Sequence, residues 1–595
     1  MAASCSVPQR QKPSMVFNVI SGDILSGDDV FTLPAKNSGA CCCGTVAMET
    51  AESRLSVSKT LRALNSVLPG KVGDGAGGLM WFKESSSRNL RSRDFLAPQA
   101  ALKAVFGDGQ VSKSIMESVW ALKCPGVPPI QNCQNAPTGL TVQLDRPAVF
   151  EEILKAIPLY AKPHQIAPGH SIVLNCVPLH GCKSLNSLSL SHLRAILVTD
   201  HLAGMFQAQG MDVHLVPALA DEETQRFLHQ LRIEWPSVLE TFPSSEDILA
   251  MKDALRQCPH AMFAKTDQDG VVCNLHLKGF LGKQQQQKES LEGYDPNLDV
   301  FLVTEEKLLH VAQLQRVASQ CAMLAPGRCC SVVHVLSNEE AFQQQKVDLL
   351  WRLIAPQAPP TPQKHLVCGP VKVTASASPV SILQYFQLRH SQMYEASVLK
   401  YGDLSQDDVW TETINVLTSA AIRFEMLSTA HRNQILLDLE EASISTKGTK
   451  SGTFVMYNCA RLATLFETYQ REAEQGVYPA FPLPSELNYS SLREEGEWLL
   501  LFNSILPFQE VLSQAIQLPF SSSGIRITAS TEAVCKFLIQ LSMDFSSYYN
   551  RVHILGESRP HLFSQMFARL QLMSAVREVF HSALLTLHLP PLNQI

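Results

Sequence analysis

At 595 residues the chain exceeds what one hydrophobic core can organise, and three or four domains are the natural division. Hydrophobic content of 45% with 17% charged residues excludes a disordered polymer, and no apolar run approaches the roughly 20 residues of a membrane span. A net charge of -6 excludes RNA binding driven by overall charge, so any such contact must come from local cationic patches, shape or stacking.

Residues 1–50 are small, polar and aperiodic, and a disordered or weakly packed extension is expected there. Residues 1–11 lack the apolar segment of a signal peptide, which predicts a cytoplasmic protein. The 16 cysteines form no CxxC pair, and the adjacent groups Cys41-Cys42-Cys43 and Cys329-Cys330 have diverging side chains. No structural metal is expected; reduced, mostly buried thiols are.

From Arg54 a helical pattern runs through Leu55, Leu61, Leu64 and Leu68. The basic run Arg88, Arg91, Arg93 reads either as a solvated face or as a contact to an RNA backbone. From Ser171 the pattern alternates: strand Ile172–Cys176, helix Leu190–Gln209, strand Val213–Val216, and a helix from Asp221. Strand Val300–Val303, helix Glu305–Met323 and strand Val332–Leu336 continue it, predicting a mostly parallel α/β sheet. The run Lys283–Lys288, four glutamines between two lysines, is expected to be a surface loop. The Pro-rich segments Ala355–Pro362 and Tyr478–Pro484 mark connections. Three helices are predicted near the end: Leu492–Gln517, Thr531–Asn550 and Leu562–Leu587. Ser530 or Thr531 caps the second, and Pro590 and Pro591 stop the third.

Two C-terminal stretches carry a family resemblance. Gly452-Thr453-Phe454-Val455-Met456-Tyr457-Asn458-Cys459-Ala460-Arg461 resembles the arginyl-tRNA synthetase signature in which Tyr-Ala-His-Ala-Arg opens a bundle helix. Phe545-Ser546-Ser547-Tyr548-Tyr549 resembles that family's Phe-Asn-Ser-Phe-Tyr block. Ala568-Arg569-Leu570 and Ser574-Ala575-Val576-Arg577 are similar to the helix that names the DALR anticodon-binding domain. A literal Asp253-Ala254-Leu255-Arg256 lies in the α/β region and is read as coincidence. More faintly, Ser191 to Val213 resembles the synthetase helix that begins at a His-x-Gly-His motif, and Pro137 to Ala156 resembles the end of the N-terminal domain that touches the tRNA elbow.

The resemblance implies an α/β plus all-α protein: a degenerate class I synthetase-like Rossmann core followed by a C-terminal DALR-type helical anticodon-binding bundle. Its expected segments are the extension 1–50, an N-terminal synthetase-like additional domain 51–160, the core 165–400 and the bundle 401–595. The motif positions that would hold ATP phosphates are Ser189, Leu190, Ser191 and His192, so the first histidine and the glycine are missing. The lysine loop falls at Val373–Ala377 without a basic residue, and Ala220-Asp221-Glu222-Glu223 replaces Gly-Asp-Trp-Gly. Losing one such group costs a few kcal/mol of transition-state stabilisation; losing all removes the reaction. No catalytic residue and no cofactor are therefore expected, and His192 reads as a capping or core residue.

The candidate RNA-binding residues are Tyr457, Arg461, Tyr548, Tyr549, Arg569 and Arg577. Phe545, Tyr548 and Tyr549 share a helical face, which serves either as core or as a platform for unstacked bases. Phe545 is expected in the core and a tyrosine hydroxyl at the surface. Arg461, four residues from Tyr457, meets either a phosphate or a surface carboxylate. The family's usual Pro-Glu-Arg-Met ending is replaced by Leu592-Asn593-Gln594-Ile595. Together these features predict a non-catalytic adaptor that binds arginine tRNA and presents it to a tRNA-modifying enzyme, a base methyltransferase of the anticodon loop being favoured. The alternatives are a protein scaffold without RNA binding and a divergent arginine-tRNA ligase.

Overall fold

The computed structural model describes residues 54–594 except 69–80, 86, 166–169, 183, 238–242, 264–269, 287–291, 325–328, 356–362, 375–378, 403–406, 440–450 and 518–523. The expected N-terminal extension, most of the Ala355–Pro362 connection and much of the Val373–Ala377 loop lie outside the described residues. Ser56 starts the first element. Its hydroxyl accepts from the Lys59 N–H and caps α1 (Val57–Val67), which turns Val57 and Leu64 inward. Strands β1 (Lys83–Glu84), β2 (Phe95–Pro98), β3 (Ile130–Ala136) and β4 (Gly139–Leu144) form an antiparallel sheet in the order β1-β2-β4-β3. Helices α2 (Gln99–Phe106) and α3 (Lys113–Trp120) separate β2 from β3, and α4 (Arg146–Lys155) and α5 (Ile157–Ala161) follow β4. Buried Asp94 accepts from the Leu144 N–H and from Trp498 Nε1, each at 2.8 Å, tying this segment to helices near the C-terminus.

The α/β region begins with β5 (His170–Cys176), α6 (Leu190–Ala208), β6 (Asp212–Val216), α7 (Glu222–Gln230) and α8 (Ser245–Gln257). It continues with β7 (Ala261–Met262), β8 (Val271–His276), α9 (Leu277–Gln286), β9 (Val300–Thr304) and α10 (Glu305–Leu324). Strand β10 (Cys329–Ser337), α11 (Ala341–Ile354) and β11 (Gln363–Cys368) complete it. The order β11-β10-β5-β6 makes a wholly parallel sheet. The central strands β5 and β10 carry apolar residues on both faces because both faces are covered, Ile172 and Val173 pointing to opposite sides. Ile172 and Leu174 pack in the core that contains α6, whereas Val173 and Val332 pack with α10 and α11 in a second core. Helix α6 is buried on nearly every side, so its sequence shows no polar stripe.

Four expectations change, the last of them a helix cap near the C-terminus. Val300–Val303 is a strand, but β9 pairs with β8 in a separate antiparallel sheet of order β7-β8-β9. There Phe301 and Val303 face the core while Val300 and Leu302 face outward, the one-sided burial of an antiparallel strand. An all-apolar run hid that alternation. The glutamine run is not wholly a loop, because α9 continues to Gln286; glutamine is a good helix former. Leu492–Gln517 is not one helix: a short α-helix, Glu495–Leu500, passes into a π-turn at Leu501–Ile505 and restarts at Phe508. Pro507 has no N–H to donate, and the Leu506 N–H instead reaches back five residues to the Leu501 carbonyl.

The remaining chain is mainly helical. A parallel pair of short strands, β12 (Val371–Val373) and β13 (Ile435–Leu437), brackets α12 (Ile382–Tyr401) and α13 (Asp408–Leu427). Then come α14 (Gly452–Glu474), α15 (Glu495–Leu500), α16 (Phe508–Ala515), α17 (Ala533–Tyr549) and α18 (Pro560–Leu585). The predicted cap at Ser530 or Thr531 is not made: Glu532 occupies the capping position in helical conformation, and the Thr531 hydroxyl is buried without a partner.

Buried histidines set the acid response of this fold. His201 of α6 bonds the Thr586 carbonyl at 2.8 Å, and His334 of β10 bonds Asn175 and Gln363. Burial is the leading cause that pushes each from 6.5 down to about 4. The unfolded chain takes up these protons first, so the contribution is complete above about pH 6.5 and erodes as pH falls toward about 4. Thermal unfolding midpoints should therefore drop between about pH 7 and about pH 5, before carboxylates titrate.

Candidate nucleic-acid interface

Helix α14 begins against α13 at Gly452, where a Cβ would stand 2.3 Å from the Ala420 carbonyl oxygen, so only glycine permits the approach. The Ser451 hydroxyl caps the helix by accepting from the Phe454 N–H. One turn in, the fourfold spacing stacks Tyr457 and Arg461 on one face. The Arg461 guanidinium lies 5.4 Å from the Tyr457 ring centre and 4.4 Å from that of Tyr549, on α17. It donates to Ser546 Oγ at 3.2 Å and Asn550 Oδ1 at 2.6 Å. Two aromatic rings from two helices therefore hold one planar cation, and all three residues remain partly exposed.

The surroundings extend this patch. Lys400 Nζ, at the end of α12, is 5.8 Å from the Tyr457 ring centre, and Arg551 is exposed two residues beyond Tyr549. Beside Tyr549 a cavity of about 180 Å³ is lined by Thr464, Leu465, Thr468, Val552, His553 and Ile554. A cationic, aromatic rim next to a small hollow can stack a base and meet a phosphate. Lys400 gave no sequence signal because it lies far from the motif. Arg551 was within reach, directly after the aromatic block.

The other candidates sit differently. Tyr548 is buried like Phe545, and its hydroxyl donates to Glu497 Oε1 at 3.1 Å. Arg569 Nε donates to the same oxygen at 2.8 Å, with only 12% of its side chain exposed. These two belong to the interior of the bundle, where the fully buried Glu497 gathers α15, α17 and α18. The tyrosine hydroxyl expected at the surface is thus not that of Tyr548. Arg577 covers the Phe466 ring at 4.1 Å and is half-buried. Glu497→Leu is expected to destabilise the bundle by about 3 kcal/mol, since Arg569 and the Tyr548 hydroxyl lose their acceptor inside the protein. A fall of several degrees in the thermal midpoint measures it; Glu497→Gln should retain part of the loss.

At the start of α6, Ser189 and His192 cap their own helix. Ser189 Oγ accepts from the His192 N–H, and His192 Nδ1 accepts from the Ser189 N–H, a reciprocal cap. Leu190 is buried, and Ser191 Oγ accepts from the Val371 N–H. His192 borders a cavity of about 280 Å³ at the carboxyl ends of β5 and β10, the place where open parallel sheets hold ligands. Its walls include Asn175, His180, Lys307, His310, Glu339 and Glu340. Burial holds His180 well below its usual range and His310 at about 3, so both imidazoles are neutral. One lysine facing two carboxylates and neutral rings is a poor cradle for a polyphosphate. The Asp253-Ala254-Leu255-Arg256 sequence lies on α8, with Leu255 in the core and Asp253 paired to Arg256 on the surface. Among the described residues no helix is long and apolar enough to cross a membrane.

Comparison with known proteins places this geometry. Residues 55–160 match the DALR N-terminal domain family, and residues 455–595 match the DALR anticodon binding domain family. The fold is similar to arginyl-tRNA synthetase of Thermus thermophilus, with a TM-score of 0.58 at 16% identity over 90% of this chain and 100% of that one. It is likewise similar to arginyl-tRNA synthetase of Plasmodium falciparum, with a TM-score of 0.57 at 12% identity over 91% and 100%. A Mus musculus protein named DALR anticodon-binding domain-containing protein 3 is 50% identical over 92% of this chain and 100% of its own length. The Danio rerio protein of that name is 42% identical over 91% and 99%. With a synthetase-like core, a DALR domain at each end and this identity over nearly the full length, the chain belongs to the DALR anticodon-binding domain-containing protein 3 family.

Proposed function

We propose that the chain is a cytoplasmic, non-catalytic tRNA adaptor that grips the anticodon region with its C-terminal bundle. The observation that carries this reading is the Tyr457–Arg461–Tyr549 stack on the surface of an anticodon-binding domain. Arginine tRNAs are the favoured cargo, because the fold is similar to that of arginyl-tRNA synthetases and the C-terminal stretches around Tyr457 and Tyr549 resemble that family's signatures. We assign the work to segments 51–160, 165–400 and 401–595, in which the first contacts the tRNA elbow through exposed Arg88 and Arg91. The core serves as scaffold, since its would-be phosphate site is capped by Ser189 and His192. An adaptor that does not charge its tRNA must hand it on, and a base methyltransferase acting on the anticodon loop is the favoured recipient.

Retention of cellular RNA on the purified full chain, followed by sequencing, tests the proposal. Arginine tRNAs should be enriched, whereas tRNA at no more than its share of total RNA would overturn it. Arginine-dependent ATP–pyrophosphate exchange should be absent, and methyltransferase activity toward tRNA should co-purify from cells. The internal placement of Tyr548 and Arg569 favours a second reading, a protein scaffold without RNA contact; loss of all tRNA enrichment with partners still bound would select it.

A further inference from the structure

Beyond the far end of α14, the Pro-rich connector carries side chains that neither the core nor the RNA platform uses. Residues 478–484 read Tyr-Pro-Ala-Phe-Pro-Leu-Pro, apolar residues interleaved with three prolines. The prolines fix φ and donate no N–H, so the segment extends neither α14 nor any sheet. Leu483 has φ -64° and ψ 145°, the polyproline II conformation. Tyr478 is buried, and its hydroxyl donates to the Gly556 carbonyl at 2.6 Å. The Tyr469 hydroxyl of α14 donates to the Pro479 carbonyl at 2.9 Å, and the Ser558 hydroxyl to the Val477 carbonyl. The Phe481 ring stands edge-on to Tyr469 at 6.0 Å and to Phe567 of α18 at 5.6 Å. These contacts hold the strap in one shape, yet Val477, Phe481 and Leu483 are 41%, 39% and 52% exposed. Large apolar side chains held rigid in water form a binding surface rather than a slack loop.

We infer that this strap docks the protein that receives the tRNA, seating in an aromatic-lined groove with a basic rim on that partner; the inference rests on the adaptor reading above. Position supports it. Thr464 and Thr468 of α14, with Ile554, line the hollow beside Tyr549, and Tyr469 and Gly556 just beyond them hold the strap. Glu474, the last residue of α14, lies about 20 Å along the helix from Arg461, so a protein seated on the strap borders the RNA platform. Charge separates the two surfaces. Residues 471–486 hold three glutamates and one arginine, the opposite sign from Lys400, Arg461 and Arg551 at the platform. Such a surface repels phosphates and attracts a basic protein face. An enzyme that works on tRNA carries cationic surface for the phosphates, so it meets this requirement. Shape selects the groove. Apolar residues spaced by proline in polyproline II conformation are read by aromatic-lined grooves, and a strap already ordered loses little conformational entropy on docking.

The test isolates the tagged full chain from cells and reads two quantities in one eluate: tRNA retained, and labelled methyl groups moved from S-adenosylmethionine to added tRNA transcript. Leu483→Asp puts a charge where the groove closes. It should lower methyl transfer about tenfold or more while tRNA retention stays within about twofold of the parent. Glu474→Lys reverses the rim at a side chain bonded to Gln470 of its own helix, and should lower methyl transfer about threefold. Trp120→Asp, a charge on an exposed apolar residue of α3, should change neither quantity. The Leu483 and Glu474 variants should melt near the parent temperature, because both side chains are exposed. Methyl transfer by Leu483→Asp at the parent level would overturn the docking surface and leave the adaptor reading standing. Loss of tRNA together with methyl transfer in that variant would overturn it as well, since the strap would then be touching RNA. A parent eluate that holds tRNA but transfers no methyl group sinks the hand-over itself, and the docking surface with it.

Discussion

Replacing Arg423 with alanine should cost about 3–5 kcal/mol and leave the full chain sensitive to protease at temperatures where the parent resists. Arg423 of α13 and Asp200 of α6 are both buried, with Nη1 and Oδ2 2.6 Å apart. Burial alone would favour a neutral Asp200, but Arg423 and then His588, whose Nδ1 lies 2.9 Å from the other oxygen, hold it ionised below the usual carboxylate range. The same guanidinium donates to the Leu231 and Arg232 carbonyls. Arg232 has a φ of 61°, a left-handed conformation that costs a non-glycine residue about 1–3 kcal/mol and persists here under that clamp. Alanine at 423 leaves the buried carboxylate with His588 alone, the Leu231 carbonyl with only the Ser419 hydroxyl, and takes the guanidinium from the Arg232 carbonyl. The chain has several structural layers, so the measurement is the thermal midpoint and the rate of proteolysis rather than one unfolding free energy. Arg423→Leu combined with Asp200→Leu removes both charges and should recover part of the loss. A midpoint unchanged in Arg423→Ala would show that the pair does not hold α6 to α13.

The second large effect concerns RNA. Arg461→Glu should weaken tRNA binding by about 2–3 kcal/mol, a factor of about 30–150 in Kd. The cation held between Tyr457 and Tyr549 is lost and a carboxylate is turned toward phosphates. Tyr549→Ala should cost about 1–3 kcal/mol, the range for one stacked base. Arg461→Lys keeps the charge but not the planar guanidinium and should fall between parent and Arg461→Glu. Because these residues are partly exposed, their thermal midpoints should stay near that of the parent, which separates lost binding from lost fold. Filter binding across a salt series checks the electrostatic part, since removing a phosphate contact lowers the salt dependence. Unchanged tRNA retention in both variants would sink this site.

Much of the fold was legible because it rests on local pattern. Continuous apolar runs announced β5 and β10, and a long apolar segment behind a Ser-x-x-His start announced α6. The site was legible only in part. Phe545, Tyr548 and Tyr549 share a helical face by spacing alone, yet only contacts from elsewhere fix which ring is covered. Glu497 and Gly496 of α15 pack against Tyr548 and draw it inside, leaving Tyr549 at the margin beside Arg461.

Sequence by itself determined three of the four strands of the parallel sheet, β5, β6 and β10, the helical C-terminus and the family likeness, because periodicity, proline and motif spacing act over a few residues; the polar start of β11, Gln363-Lys364-His365, announced no strand. Tertiary structure decided the rest. It moved Val300–Val303 into an antiparallel sheet, broke the helix before Pro507, and turned Tyr548 and Arg569 inward. It also joined Asp200 to Arg423, and Arg461 to Tyr549, across long stretches of chain. Such contacts depend on how helices rotate and pack against one another, and the energy that sets rotation comes from partners distant in sequence, which no local pattern records.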